Sequence, residues 1–229
     1  MRALQPGKMD NREKICLFNK QNINKITDEI VPDIGRLYKT PEGNKYPSVT
    51  TILGAMSDNS WLDDWIDAIG EERANEITNK ACLRGTSMHH LLEKHLLNEE
   101  LDKEAVGYWF YRQLLIYVKK IDCYVVEIPL WSDKLHVAGR ADCIGLYDNV
   151  LSIIDFKTSK KAKHAKDIEN YFLQCTIYAL MLYELTGVFC YNIVVLIATE
   201  EGVPQVFKRK TLDYAKHAVV TIKKYHSSR

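Results

Sequence analysis

Asp142, Asp155 and Lys157 are the residues whose types and spacing point most directly to chemistry. They lie in the run 136–159, where two segments rich in β-branched and apolar residues flank Tyr147-Asp148-Asn149. Asp-Asn suits a tight reversal, so the run predicts a β-hairpin. With the turn centred between Asp148 and Asn149, Asp142 falls opposite Asp155, with Cβ atoms about 5 Å apart. Like charges directly opposite destabilise a plain sheet, and a divalent cation between them removes that penalty. Lys157, two residues past Asp155, shares its face by strand alternation. On an exposed face the trio would be a solvated ion-pair ladder. The run 152–156, however, reads as a central strand covered on both faces, where unpaired charge is costly and usually has a task.

The elements that must position this trio follow from the rest of the chain. Residues 1 to about 14 are polar and mixed in charge and are expected to fray. The segments 36–40 and 45–47 flank Pro41-Glu42-Gly43-Asn44 and predict a small hairpin, after which Ser48 caps a short helix over 49–56. Residues 60–98 read as helical, with Asn59 or Ser60 as cap and Gly70 as a joint. Within them, a helix starting near Thr86 or Ser87 would put His89 and Glu93 on one face. Arg84 and Thr86 would then stand where a helix start can take phosphate. Residues 102–120 predict a helix with an apolar stripe of Val106, Trp109, Phe110, Leu114 and Val118. Its run of four aromatics is assigned mostly to the core, though such rings can stack on unpaired bases.

A strand over 123–131 carries Glu127 inside an apolar run, and a buried Glu needs a partner. After the central hairpin come the basic residues Lys160, Lys161, Lys163, His164 and Lys166, a solvated loop or a phosphate-contacting edge. A helix over 167–185 sets Gln174 and Tyr178 one turn apart. Strands over 189–198 and 203–209 and a final helix capped by Thr211 complete the chain. The order helix–strand–strand–strand–helix–strand predicts an α/β fold, a mixed central sheet flanked by helices, preceded by a hairpin and helical region. One domain over 1–229 is expected, with a hairpin and helical periphery over 1–120 and an αβ core over 121–229.

Four segments in this order, Gly85-Thr86-Ser87-Met88-His89, Gly139-Arg140-Ala141-Asp142, Ile153-Ile154-Asp155-Phe156-Lys157 and Gln174-Cys175-Thr176-Ile177-Tyr178, resemble the RecB-type exonuclease branch of the PD-(D/E)XK nuclease superfamily. The block RLYKTPEGNKYPSVTTIL is similar to the N-terminal region of mitochondrial and phage members of that branch. The resemblance implies a restriction-endonuclease-like core and metal-assisted hydrolysis of phosphodiesters. His89, Asp142, Asp155 and the backbone carbonyl of Phe156 would hold Mg²⁺ or Mn²⁺, with Glu127 a secondary candidate. Lys157 would position or deprotonate water, or stabilise the transition state. Arg84, Thr86, Gln174, Tyr178, Ser159 and Lys160 would contact the substrate strand. Single-stranded DNA with a free end is the implied substrate. Duplex ends or flaps within a larger complex, and a non-catalytic DNA-binding module, are the alternatives; replication or recombination proteins are the implied partners.

Composition bounds these readings. A formal net charge of +1 over 229 residues excludes a globally basic nucleic-acid binder, so any DNA contact must be local. Six scattered cysteines without a CxxC argue against a zinc ribbon and for reduced thiols. Some members of the branch carry an iron–sulfur cluster on closely spaced C-terminal cysteines. That spacing is missing, so no cluster is expected. The N-terminus has no signal-peptide layout and the longest apolar stretch, 190–198, is too short to span a bilayer. No membrane role is expected. A cytoplasmic bacterial or viral protein, or a processed mitochondrial one, fits these features.

Overall fold

The computed structural model describes residues 9–58 and 60–229. Helix α1 (Asn11–Asn22) opens on a reciprocal cap. The Asp10 side chain accepts from the Glu13 N–H at 2.8 Å, and the Glu13 side chain accepts from the Asp10 N–H at 3.0 Å. The expected fraying is thereby corrected from residue 10 onward, because the cap and the fully buried Ile15 anchor this helix. Residues 1–8 lie outside the described residues, as does the candidate cap Asn59.

Strands β1 (Thr27–Val31), β2 (Gly35–Lys39) and β3 (Lys45–Pro47) form a small antiparallel sheet. The β2–β3 hairpin matches the sequence reading. The mostly exposed β1 gave no periodic signal. Ser48 caps α2 (Val49–Ala55), accepting from the Thr51 N–H at 2.9 Å. Helices α3 (Ser60–Ile69) and α4 (Glu71–Leu96) meet at Gly70, whose φ of 84° only glycine adopts readily.

Helix α4 runs unbroken through Arg84, Gly85 and Thr86, so the expected helix start near Thr86 or Ser87 does not exist. One interior glycine costs about 1 kcal/mol, too little to stop a long helix without proline. Thr86 therefore has no free helix N-terminus around it. Helix α5 is shorter than expected (Tyr108–Val118) and buries Phe110, Tyr111, Leu114 and Val118. Val106 and Trp109 are exposed, a correction to the predicted stripe. Trp109 sits about 100° around the helix from Phe110 and faces away from the core.

The main sheet consists of β4 (Ile121–Ser132), β5 (Val137–Tyr147), β6 (Val150–Ser159), β7 (Asn192–Thr199) and β8 (Gln205–Lys210), in that spatial order. Only β6 and β7 pair in parallel, through the crossover helix α6 (Glu169–Thr186). The β5–β6 register is the one read from the sequence: Tyr147 pairs with Val150, Ile144 with Ile153 and Cys143 with Ile154. Asp148 and Asn149 both have positive φ, as a two-residue turn of the primed type requires. The last helix, α7 (Thr211–Ser227), is not capped by Thr211, which lies inside it, buried, and donates its hydroxyl to the Cys190 carbonyl at 2.6 Å.

Two cores cover the sheet. One packs α1, α2, α6 and α7 on one face, with Ile128, Ala141, Ile144 and Ile153. The other packs α4 and α5 on the opposite face, with Val126, Cys143, Ile154 and Phe156. This mixed α/β arrangement is the fold class expected. Among the described residues no helix is long and apolar enough to cross a membrane. The α4–α5 contact is tight at one point: the Gly107 N–H donates to Ser87 Oγ at 2.9 Å, and a Cβ on Gly107 would lie 2.3 Å from the Met88 nitrogen. Gly107→Ala must therefore push α5 off α4. It is expected to cost about 1–3 kcal/mol of unfolding free energy, read from urea denaturation; an unchanged midpoint would contradict this packing.

Candidate active site

A paired kink in β4 and β5 builds the centre of the site. In a regular strand, residues two apart share a face. Here Val126 and Ile128 face opposite cores, and so do Ala141 and Cys143. Val126 pairs with Cys143 and Ile128 with Ala141, so the residues in between, Glu127 and Asp142, lie opposite each other. Glu127 has φ 48°, a conformation disfavoured for a residue with a side chain, and its carbonyl accepts from Arg140 Nη1 at 3.0 Å. Strain of this kind gathers at functional sites.

The kink also ends the β5–β6 ladder at Cys143 and Ile154. Past it, the Asp142 carboxylate takes over, accepting the Phe156 N–H at 2.8 Å through Oδ2. The pairing that would set Asp142 opposite Asp155 therefore stops one residue short of them, and the carboxylate of Asp142 bonds to the backbone of Phe156 instead. Helix α4 brings His89 over this point, with Nδ1 3.5 Å from Asp142 Oδ2 and its ring edge-on to Phe156. Ligand atoms of His89, Glu127 and Asp142 all lie within 4.8 Å of one another.

Asp155 is 1 % exposed and sits on the central strand. The Lys157 ammonium is 2.7 Å from its carboxylate and donates a hydrogen bond to Oδ1. Oδ2, though equally close to the charge, has no hydrogen bond. Burial pushes the Asp155 carboxyl up to about 6, against the pull of Lys157. For Lys157, burial works to lower the pKa, but the Asp155 and Asp142 carboxylates outweigh it and the ammonium is held in its charged form. The Lys157 nitrogen also stands 5.2 Å from the centre of the Tyr171 ring. Sequence reasoning did not assign Tyr171 to the site, although it lies at helical spacing from Gln174 and Tyr178.

A cavity of about 830 Å³ opens beside these groups; Asp155, Phe156 and Tyr171 stand behind its wall rather than in its lining. Thr86, His89, Glu93, Glu127, Arg140, Asp142, Lys157, Gln174 and Tyr178 line it, and Gln174 donates to the Tyr178 hydroxyl at 3.3 Å. Asp28, Arg36 and Tyr38 of the small sheet line it too, and no local signal in the sequence marks them. Tyr178 packs on Gly139, where a Cβ would approach its ring to 2.9 Å. Three of the expected substrate contacts are not among the lining residues. Arg84 pairs with Glu200 and stacks on Phe110, with its carbon 4.9 Å from the ring centre. Ser159 donates to the Lys161 carbonyl at 2.7 Å, and Lys160 is exposed in the loop after β6.

Burial, reinforced by Asp142, pushes the Glu127 carboxyl up to about 7, while His89 opposes the shift. Its folded value lies above the ~4.3 of an unfolded glutamate. The unfolded state therefore releases this proton first, and stability falls as pH rises from about 4.3 to 7. In EDTA, Glu127→Gln should gain stability relative to the native chain across that window, followed by thermal unfolding from pH 4 to 8. A difference that stays flat with pH would show that Glu127 ionises normally.

No protein-family model matches the chain. Among curated proteins it is similar to mitochondrial genome maintenance exonuclease 1 of Homo sapiens, at 26 % identity over 64 % of this chain and 46 % of that protein. The Mus musculus protein of that name is 27 % identical over 52 % of this chain and 39 % of its own length. The Xenopus tropicalis one is 30 % identical over 58 % and 42 %. The chain thus spans less than half the length of each relative. Among solved structures, a Eubacterium rectale protein assigned as an exonuclease by name aligns over 79 % of this chain and 68 % of its own, at 12 % identity and TM-score 0.34, too loose a likeness to carry an argument. The three relatives support a nuclease of the PD-(D/E)XK type, and the meeting of Asp142 and the Asp155-Phe156-Lys157 strand with His89 on a helix-flanked mixed sheet is compatible with that likeness.

Proposed function

We propose that this chain is a Mg²⁺- or Mn²⁺-dependent DNA exonuclease that works from single-stranded ends. The observation that carries this reading is the convergence of His89, Glu127 and Asp142 ligand atoms within 4.8 Å, on the wall of a large cavity. Asp155, buried beside Asp142 with an oxygen that lacks a hydrogen bond, adds a further donor. Three carboxylates and one imidazole form a hard, oxygen-rich set that fits Mg²⁺ and admits Mn²⁺. The Phe156 carbonyl belongs to the same proposed set. A bound cation supplies charge to the phosphoryl oxygen and acidifies water.

The chain's own residues do the rest. Lys157, paired with Asp155, is placed to orient water and to stabilise charge developing on the phosphate. Asp155 and the Tyr171 ring fix its ammonium. Glu127, opposite Asp142 at the kink, completes the carboxylate set that would hold the cation. The Gln174 amide, the Tyr178 hydroxyl and the Thr86 hydroxyl border the cavity where the strand would lie. Residues of both sheets and of α4 and α6 wall the cavity in which an unstacked strand would lie, and the relatives are named as exonucleases.

The test is cleavage of linear, end-labelled and circular single-stranded DNA with Mg²⁺, Mn²⁺ or EDTA. Loss of the linear form alone, only with metal, is expected. Lys157→Ala should slow it by about 10²- to 10³-fold. Asp142→Asn should abolish both cleavage and the rise in melting temperature on adding Mn²⁺, a rise equivalent to about 2.7 kcal/mol at a hundred times the dissociation constant. Cutting of the circle would make the protein an endonuclease. Inert DNA with no metal-induced shift would leave a non-catalytic DNA-binding module.

A further inference from the structure

We infer that Arg36, on the small N-terminal sheet, grips a second phosphate of the substrate strand, one next to the phosphate being cleaved, and that Asp28 is its resting counter-ion. This rests on the nuclease reading above and adds to it a substrate length requirement: the chain needs at least two consecutive phosphates for full affinity.

Five cationic or ionisable basic side chains line the cavity among the described residues: Arg36, His89, His90, Arg140 and Lys157. Four belong to the metal-site side. His89 and His90 ride on α4, Lys157 is bound to Asp155 at 2.7 Å, and Arg140 donates to the Glu127 carbonyl at 3.0 Å. Arg36 comes from β2, a strand of the other sheet. A strand lying in the cavity can therefore meet Arg36 as a cation separate from the metal-site group. A polynucleotide carries a charge at every linkage, and the residues around Asp142 can neutralise only the one being cut.

The backbone of Arg36 is fixed, and its guanidinium rests against the Tyr38 hydroxyl and Asp28 at the cavity edge. Its N–H donates to Thr51 Oγ1 at 3.0 Å, and its carbonyl accepts from the Ser48 N–H at 2.8 Å and from Thr51 Oγ1 at 3.2 Å. The base of the side chain is thus tied to the first turn of α2. Its register, with Ile30 opposite Arg36 and Tyr38 opposite Asp28, puts Arg36, Tyr38 and Asp28 on one face. Asp28 reaches only the Nε corner, at 3.4 Å, and both side chains stay about half exposed (49 % and 40 %). An exposed ion pair of this kind is worth little and is easily exchanged. A phosphate offers the guanidinium a bidentate, charge-assisted partner in its place. A fixed stem carrying a half-exposed guanidinium, with Tyr38 and an exchangeable Asp28 beside it on the wall of the same cavity as the metal ligands, suits a phosphate clamp.

The test compares the native chain, Arg36→Gln, Arg36→Lys and Asp28→Asn on two substrates. One is linear oligo-dT; the other is bis(p-nitrophenyl) phosphate, a diester with a single phosphate. Arg36→Gln should raise KM for oligo-dT roughly tenfold or more with kcat little changed, and leave turnover of the small diester as it was. Arg36→Lys should restore part of the loss. Asp28→Asn should lower KM, because the competing carboxylate is gone. Binding of oligo-dT with Ca²⁺ in place of Mg²⁺ should lose about 0.7 from the slope of log affinity against log salt in Arg36→Gln, the mark of one lost phosphate contact. Equal losses on both substrates would mean a structural role and overturn the inference, as would an unchanged KM and salt slope. If the native chain cleaves neither substrate, the nuclease reading falls and takes this inference with it; cleavage of both with no Arg36 effect removes the inference alone.

Discussion

The site depends on one hydrogen bond, from the Phe156 N–H to the Asp142 carboxylate. Along the rest of β5–β6 a backbone N–H of one strand finds a backbone carbonyl of the other. At the kink β5 turns away, and a buried N–H on the central strand would be left without a partner, at a cost of about 1–3 kcal/mol. A carboxylate fills that role, and a charged acceptor makes the stronger bond. The same oxygen lies 3.5 Å from His89 Nδ1. One side chain therefore closes the sheet, anchors the helix above it through His89, and presents a donor to the cavity. Asp142 cannot be exchanged for an apolar residue without opening the sheet, nor moved without moving the site.

Around that bond, rigidity comes from packing. His89 is placed by α4, which is buried through Met88, Leu91 and Leu92 and held against α5 at Gly107, where the backbones come too close for any side chain. Gln174 and Tyr178 are placed by α6, whose middle is buried from Phe172 to Ala179 on the other side of the sheet. The donors thus stand on regular elements, with side chains locked by their neighbours, which is how a site keeps its geometry to a fraction of an ångström. The strain sits at one residue, Glu127, where a left-handed backbone turns a carboxylate toward the others.

The electrostatics are equally local. A chain with a net charge of +1 cannot draw in a polyanion by its overall field. Its cations are used one at a time. Lys157 is buried against Asp155, Arg140 is tied to the backbone at the kink, and Arg84 is taken up by Glu200 and the Phe110 ring. Arg36 keeps its stem fixed and its charge exposed. Burial raises the Glu127 and Asp155 carboxyls toward neutrality, so holding them ionised there carries a cost in folding.

By itself the sequence determined the elements whose signals are local. The Asp148-Asn149 turn set the β5–β6 register, because turn type and strand period leave no freedom once the reversal is placed. Apolar runs marked the central strand, and Gly70 marked the joint between helices. The types of the site residues, His89, Asp142, Asp155, Lys157, Gln174 and Tyr178, could be read in order along the chain. The tertiary structure decided what depends on contacts between distant segments. The run of α4 through Gly85 overrode a weak local signal, since a single glycine costs little and the helix is anchored just beyond it by the buried Met88, Leu91 and Leu92. The exposure of Trp109 depended on which side of α5 met α4. The paired kink at Glu127 and Asp142 has no signature in either strand, because each strand alone favours regular alternation, and only the demand of two cores on opposite faces flips both. The entry of Asp28, Arg36 and Tyr38 into the cavity was decided by where a small sheet, remote in sequence, docks on the large one.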